Sequence, residues 1–162
     1  MRTFLSIIAG CIMLVGCAAT PPSPHESEEV PWQQVKTQIP PGSSLLYVVR
    51  PANLSSSANR YKIRINGVHV ADMQTGSYFS YQVPAGDVNI SAETVPSFMN
   101  FGLALAMMGK PSLVLTTIPG EIYFVNVGVA FSGGPTLSVV ESEKGKSLVT
   151  KAKKTETLQN QD

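Results

Sequence analysis

The stretch YKIRINGVHVADMQTGSYFSYQVPAGDVNISA, residues 61–92, decides the fold. Tyr61, Ile63 and Ile65 alternate with Lys62, Arg64 and Asn66. That is the period of a strand with one face buried and one wet. Asn66–Gly67 follows, a strong short hairpin signal, because both central positions of the favoured turn need positive φ. Val68, Val70 and Met73 form the returning strand. A turn at Gln74–Gly76 leads into the strand Ser77–Val83, and Pro84–Ala85–Gly86 turns the chain into Val88, Ile90 and Ala92.

Working outward, Ser44–Arg50 (SLLYVVR) is β-rich, and the Pro51–Asn59 loop after it is full of Ser and Asn. Downstream, Ser112–Ile118, Ile122–Val129 and Thr136–Val140 are further strands, separated by Pro119–Gly120 and Gly133–Pro135. About seven or eight short strands with turns every 8–12 residues predict an all-β antiparallel sandwich. The order of LLYVVRP, YKIRINGVHV, GSYFSYQVPAG and PGEIYFVNVGV resembles a family of bacterial lipoproteins, domain-of-unknown-function family 2846. The resemblance runs from Leu45 to about Val140. It implies an immunoglobulin-like or transthyretin-like sandwich on a lipid tether and brings no catalytic residues with it. The Asn-Gly and Pro-x-Gly elements also occur in other β-sandwich modules.

Upstream the chain has a different character. Met1–Arg2–Thr3 is a short positive start, and Phe4 to Val15 is almost wholly apolar. This is signal-peptide length, below the ~20 residues of a spanning helix. Leu14–Val15–Gly16–Cys17 resembles the bacterial lipobox, which implies cleavage after Gly16 and lipid on Cys17. The expected modification is a diacylglyceryl thioether on the sulfur and an acyl chain on the freed amine, with no other cofactor. Two or three acyl chains at ~0.8 kcal/mol per buried CH₂ make release negligible. Ala18 at the next position points, by resemblance to Gram-negative sorting, to the outer membrane facing the periplasm rather than to inner-membrane retention.

The expected organisation is therefore a signal peptide at 1–16, a lipidated Pro-rich tether at 17–42, the sandwich at 43–142 and a polar basic tail at 143–162. Trp32 is expected to cover the domain edge, and Gly145 to end a hairpin or start a short helix through Leu148. Arg2 lies in the removed segment, so the mature chain carries 11 basic and 11 acidic side chains. A neutral chain lacks the basic footprint of a nucleic-acid binder. Cys11 falls in the leader and Cys17 takes the lipid, which leaves no thiol for a disulfide or a zinc site.

Between Pro96 and Pro111 the pattern breaks. Phe98, Phe101, Leu103, Leu105, Met107 and Met108 crowd a stretch expected to form a short apolar helix at 97–110. Twelve helical residues reach ~18 Å, short of a ~30 Å bilayer core. Three readings stay open: a core cap, a patch for another envelope protein or a second copy, and a segment dipping into the bilayer interface.

For catalysis the materials are thin. His69 and Asp72 are three apart, so a regular strand sends them to opposite faces. Asp87 and Glu121 sit beside turn glycines, no Gly-x-Ser-x-Gly elbow is present, and no metal-binding pattern appears. Consecutive Tyr78–Phe79 and Tyr123–Phe124 must each send one ring outward, leaving room for a sugar-stacking platform. The expected function is a non-catalytic, membrane-anchored structural or interaction module. The alternative is a periplasmic domain binding peptidoglycan or an apolar small molecule, and an enzyme ranks last.

Overall fold

The computed structural model describes residues 31–52, 59–95, 110–131 and 134–158. The chain order is α1 (Trp32–Thr37), β1 (Ser43–Arg50), β2 (Arg60–Ile65), β3 (Val68–Met73), β4 (Ser77–Pro84), β5 (Gly86–Val95), β6 (Ser112–Thr117), β7 (Ile122–Val129), β8 (Pro135–Val140), α2 (Ser142–Thr150) and β9 (Lys153–Lys154). Two sheets stack as a sandwich, one ordered β8-β7-β1-β4-β9 and the other β3-β2-β5-β6. The sandwich read from residues 61–92 is therefore the fold, with the hairpin turning at Asn66 (φ 49°) and Gly67 (φ 82°) as its sequence requires.

The inner faces meet in a core of Leu46, Val48 and Phe79 from one sheet against Tyr61, Ile63 and Ile90 from the other, all fully buried. Alternation supplies this side directly, since β2 buries Tyr61, Ile63 and Ile65 and leaves Lys62 and Arg64 partly exposed.

The sandwich is not uniformly antiparallel. β1 pairs with β7 in parallel, Leu45 opposite Ile122 through Val49 opposite Asn126. The Pro119–Gly120 turn explains the direction: Gly120 N–H donates to the Ser43 carbonyl (2.8 Å) and Leu45 N–H to the Glu121 carbonyl (3.0 Å). These bonds start β7 at the same end as β1. A period of two says which face a side chain takes but is blind to strand direction.

A second correction concerns β3. Ile63 pairs with Ala71 and Arg64 with His69, so Val70 is an extra residue in a β-bulge. Val70 and Ala71 are both buried, and the alternation resets between them. His69 and Asp72 consequently share the outer face, with Nε2 and Oδ1 2.9 Å apart, where an unbroken strand would separate them.

The boundaries also move. Residues 32–37, expected in the tether, form a helix, and residues 143–158, within the expected polar tail, fold back onto the sheet. Lys153 N–H donates to the Gly76 carbonyl and Thr155 N–H to the Tyr78 carbonyl, which lays β9 along β4. Composition conceals α2 because its buried side is small: Gly145 and Val149, one turn apart, with Leu148 beside them. The expected helical stretch at 97–110 lies, but for Lys110, outside the described residues.

Gly145 marks how closely α2 lies on the sheet. A Cβ built there would fall 2.2 Å from Phe124 Cγ and 2.5 Å from its Cβ, atoms that cannot swing away. We expect Gly145→Ala to lower unfolding free energy by about 1–3 kcal/mol, as overpacking does. Helix propensity alone would raise it by ~1 kcal/mol, so the sign of the shift in a urea titration decides.

Candidate functional site

β1 is buried on both faces, and its outer side carries a second apolar cluster. Tyr47, Val49, Phe124 and Val149 form a second buried cluster, with Trp32, Val35, Tyr78 and Leu148 packed against it. The Trp32 ring meets Tyr47 at 5.2 Å and Phe124 at 5.5 Å, both edge-on, while Tyr47 stacks on Phe124 at 5.5 Å. Each such pair contributes ~0.5–1.5 kcal/mol beyond its buried area. Burial pushes the Tyr47 hydroxyl's pKa upward, and the neighbouring Tyr78 adds to the shift. Each consecutive pair splits across its sheet, Phe79 and Tyr123 joining the inner core and Tyr78 and Phe124 the outer cluster, where residues of α1 and α2 pack with them. They hold the chain's own helices instead of standing as an open platform.

Lys36 fixes the far end of α1 through a bidentate contact with Glu121, 2.8 and 3.0 Å. Three concavities surround this region. One of about 210 Å³ lies between the helices, lined by Trp32, Lys36, Phe124, Ser142 and Lys146 among others. Another of about 220 Å³ lies on the far side of α1 against Leu45, Tyr47 and Gln82. The third, about 440 Å³, opens where Lys154–Thr157 leaves β4 at Ser80. The first two fall below the ~300 Å³ from which ligand pockets usually begin.

Arg50, the last residue of β1, is 1% exposed. Its Nη1 donates to the carbonyls of Asn59 (2.8 Å) and Met73 (3.0 Å), and its Cζ sits 3.9 Å from the Tyr61 ring centre. Burial lowers the guanidinium's pKa, and Tyr61 beneath it pulls the other way. One side chain thereby ties β1 to the start of β2 and the end of β3, closing that end of the sandwich. Sequence reasoning passed over this residue. Its signal is an arginine closing the apolar strand SLLYVVR.

The acids considered for catalysis do not converge. Asp87 accepts from Thr116 Oγ1 (2.6 Å), and Glu121 is held by Lys36 on the other sheet. Glu93 pairs with Arg64 (3.3 Å) and Lys110 (3.2 Å). Partial burial pushes its pKa up, but Lys110 and Arg64 outweigh that and hold it below the usual carboxylate value. His69 and Asp72 touch on an open face. Among the described residues, no cluster of three metal-ligating side chains occurs and no helix is long and apolar enough to cross a membrane. Leu14, Val15, Gly16 and Cys17 lie outside the described residues, as do Phe98, Phe101, Leu103, Leu105, Met107 and Met108.

A family model described as "Protein of unknown function (DUF2846)" matches residues 40–140. The chain belongs to the DUF2846 family. The match runs from the turn before β1 to the end of β8, so it contains Arg50 and the whole sandwich core while α1, α2 and β9 fall outside it. None of the curated proteins compared with this DUF2846 chain matches it. Among solved structures, the N-terminal domain of AlgF from P. aeruginosa is similar over 64% of this chain and 100% of its own, at 15% identity and a TM-score of 0.38.

Two measurements check this reading. Arg50→Met should cost at least about 3 kcal/mol in urea unfolding, since it strands two carbonyls bonded to a charged donor. Arg50→Lys should recover only part, lacking the planar fork. For Glu93, a folded pKa below the unfolded one means its stabilisation is full above the ordinary carboxylate range, ~4.3, and is lost as pH falls through the lower folded value. Glu93→Gln should flatten the pH dependence of the urea midpoint in that acidic window and nowhere else.

Proposed function

We propose that this DUF2846 protein is a lipid-anchored envelope module, a non-catalytic β sandwich held at the periplasmic face of the outer membrane. The observation that carries the reading is Leu14–Val15–Gly16–Cys17 at the end of an apolar run of signal-peptide length. Three acyl chains would hold a neutral domain at a bilayer that it has no charge to seek by itself.

The arrangement of the domain supports a structural or interaction role. Its incoming chain is clamped at Trp32 and Lys36, so the tether ends at Pro31 and not at a free hinge next to β1. Between Cys17 and Pro31 the spacer carries Pro21, Pro22 and Pro24, and at the ~3.1 Å per residue of a Pro-rich spacer it would reach up to ~45 Å from the lipid. Three of the titratable side chains singled out above are engaged in the framework: Arg50 closes the sandwich, Glu93 joins Arg64 to Lys110, and Glu121 secures α1. A rigid body with its ionisable groups used this way fits presentation of surface to another envelope component better than turnover of a substrate.

The test is replacement of the lipid-bearing sulfur. Wild-type protein from membranes should carry the mass of the added acyl chains and sediment with the outer membrane. Cys17→Ser should lose both the added mass and the sedimentation, and an unchanged mass and fraction would overturn the reading.

A further inference from the structure

Every open sheet must manage its edges, because an unpaired row of N–H and C=O groups invites another strand. Three of the edge strands here are blunted. β3 carries the bulge at Val70, β8 opens on Pro135, and β9, which borders β4, is only two lysines long. β6 is different. Ser112–Thr117 is SLVLTT, uncharged, regular in register with β5 across six pairs, and free of proline.

The hydrogen bonding defines what β6 offers. Ala92 N–H donates to the Pro111 carbonyl, and pairs alternate along an antiparallel ladder. Leu113, Leu115 and Thr117 therefore bond to β5, while Ser112, Val114 and Thr116 aim their backbone groups away from the sheet. Val114 is 63% exposed, and Leu113 and Leu115 reach the core only from its rim. The sequence around Val114 reads nearly the same in both directions: hydroxyl, Leu, Val, Leu, hydroxyl.

We propose that β6 pairs with β6 of a second copy of this chain, antiparallel across a two-fold axis at Val114. In that register Ser112 faces Thr116 of the other copy, Val114 faces Val114, and about six inter-strand hydrogen bonds form. Leu113 falls opposite Leu115, so the rims of the two cores meet and the half-covered leucines are enclosed. Lys110 comes opposite Ile118, which is 62% exposed, so the stem of the lysine gains an apolar neighbour and no like charges are opposed. The result is a continuous sheet of both β3-β2-β5-β6 layers, with an isologous interface. This pairing does not depend on the lipid anchor.

Disulfide trapping of the full-length protein in membranes tests the register. Val114→Cys should give a crosslinked dimer well above the parent treated in the same way. Thr116→Cys alone should stay at background, since its two copies lie about 13 Å apart at ~3.3 Å per residue and a disulfide needs Cα atoms within ~7 Å. Co-expressed Ser112→Cys and Thr116→Cys should crosslink to each other. Val114→Lys, tolerable at an exposed position, should abolish the parent dimer in sedimentation while leaving the thermal transition in place. Background crosslinking at 114, or equal crosslinking at 114 and 116 alone, overturns the proposal.

Discussion

Phe124 is pressed from three directions, by Trp32, by Tyr47 and by the backbone of α2 at Gly145. That packing follows from placing β1 in the middle of its sheet. A central strand whose residues from Leu46 to Arg50 are all buried needs cover on its outer face, and the β3-β2-β5-β6 layer covers only the inner one. α1 and α2 supply the rest from opposite ends of the chain. The described residues thus form a sandwich with a third, partial layer. Its stability depends on segments that composition assigns to a linker and a tail.

The strands were legible because each carries its own signal: alternation in β2, Asn66–Gly67 between β2 and β3, and Pro84–Gly86 before β5. What escaped were relations between distant parts. The bulge at Val70 depends on how β3 is matched to β2, and it alone puts His69 beside Asp72. The parallel pairing of β1 with β7 depends on bonds from Gly120 and Leu45 across some 75 residues of chain. α2 shows no strong periodicity because two or three inward residues suffice when the floor is an aromatic ring. Arg50 was visible as a residue and invisible as a role, since the two carbonyls it binds come from β3 and the loop before β2.

The family match and the physical core coincide closely. Residues 40–140 contain both faces of the sandwich and the buried arginine, yet they stop before Val149 and begin after Trp32. The DUF2846 portion therefore brings an aromatic outer face whose cover comes from sequence beyond it. Where anchoring is concerned, the two ends of this chain do unequal work. The N-terminal side joins the proposed lipid to α1, and the C-terminal side completes the packing against which α1 rests.

Trp32 is the one tryptophan in the chain, and it sits on the ring that α2 also covers. Its indole emission thus reports a single local environment, free of overlapping signals from elsewhere in the protein. Because α1 reaches that ring from the tether side and α2 from the other terminus, the same fluorophore registers the undocking of either one. The molecule carries its own optical gauge of whether the stalk is seated on the body.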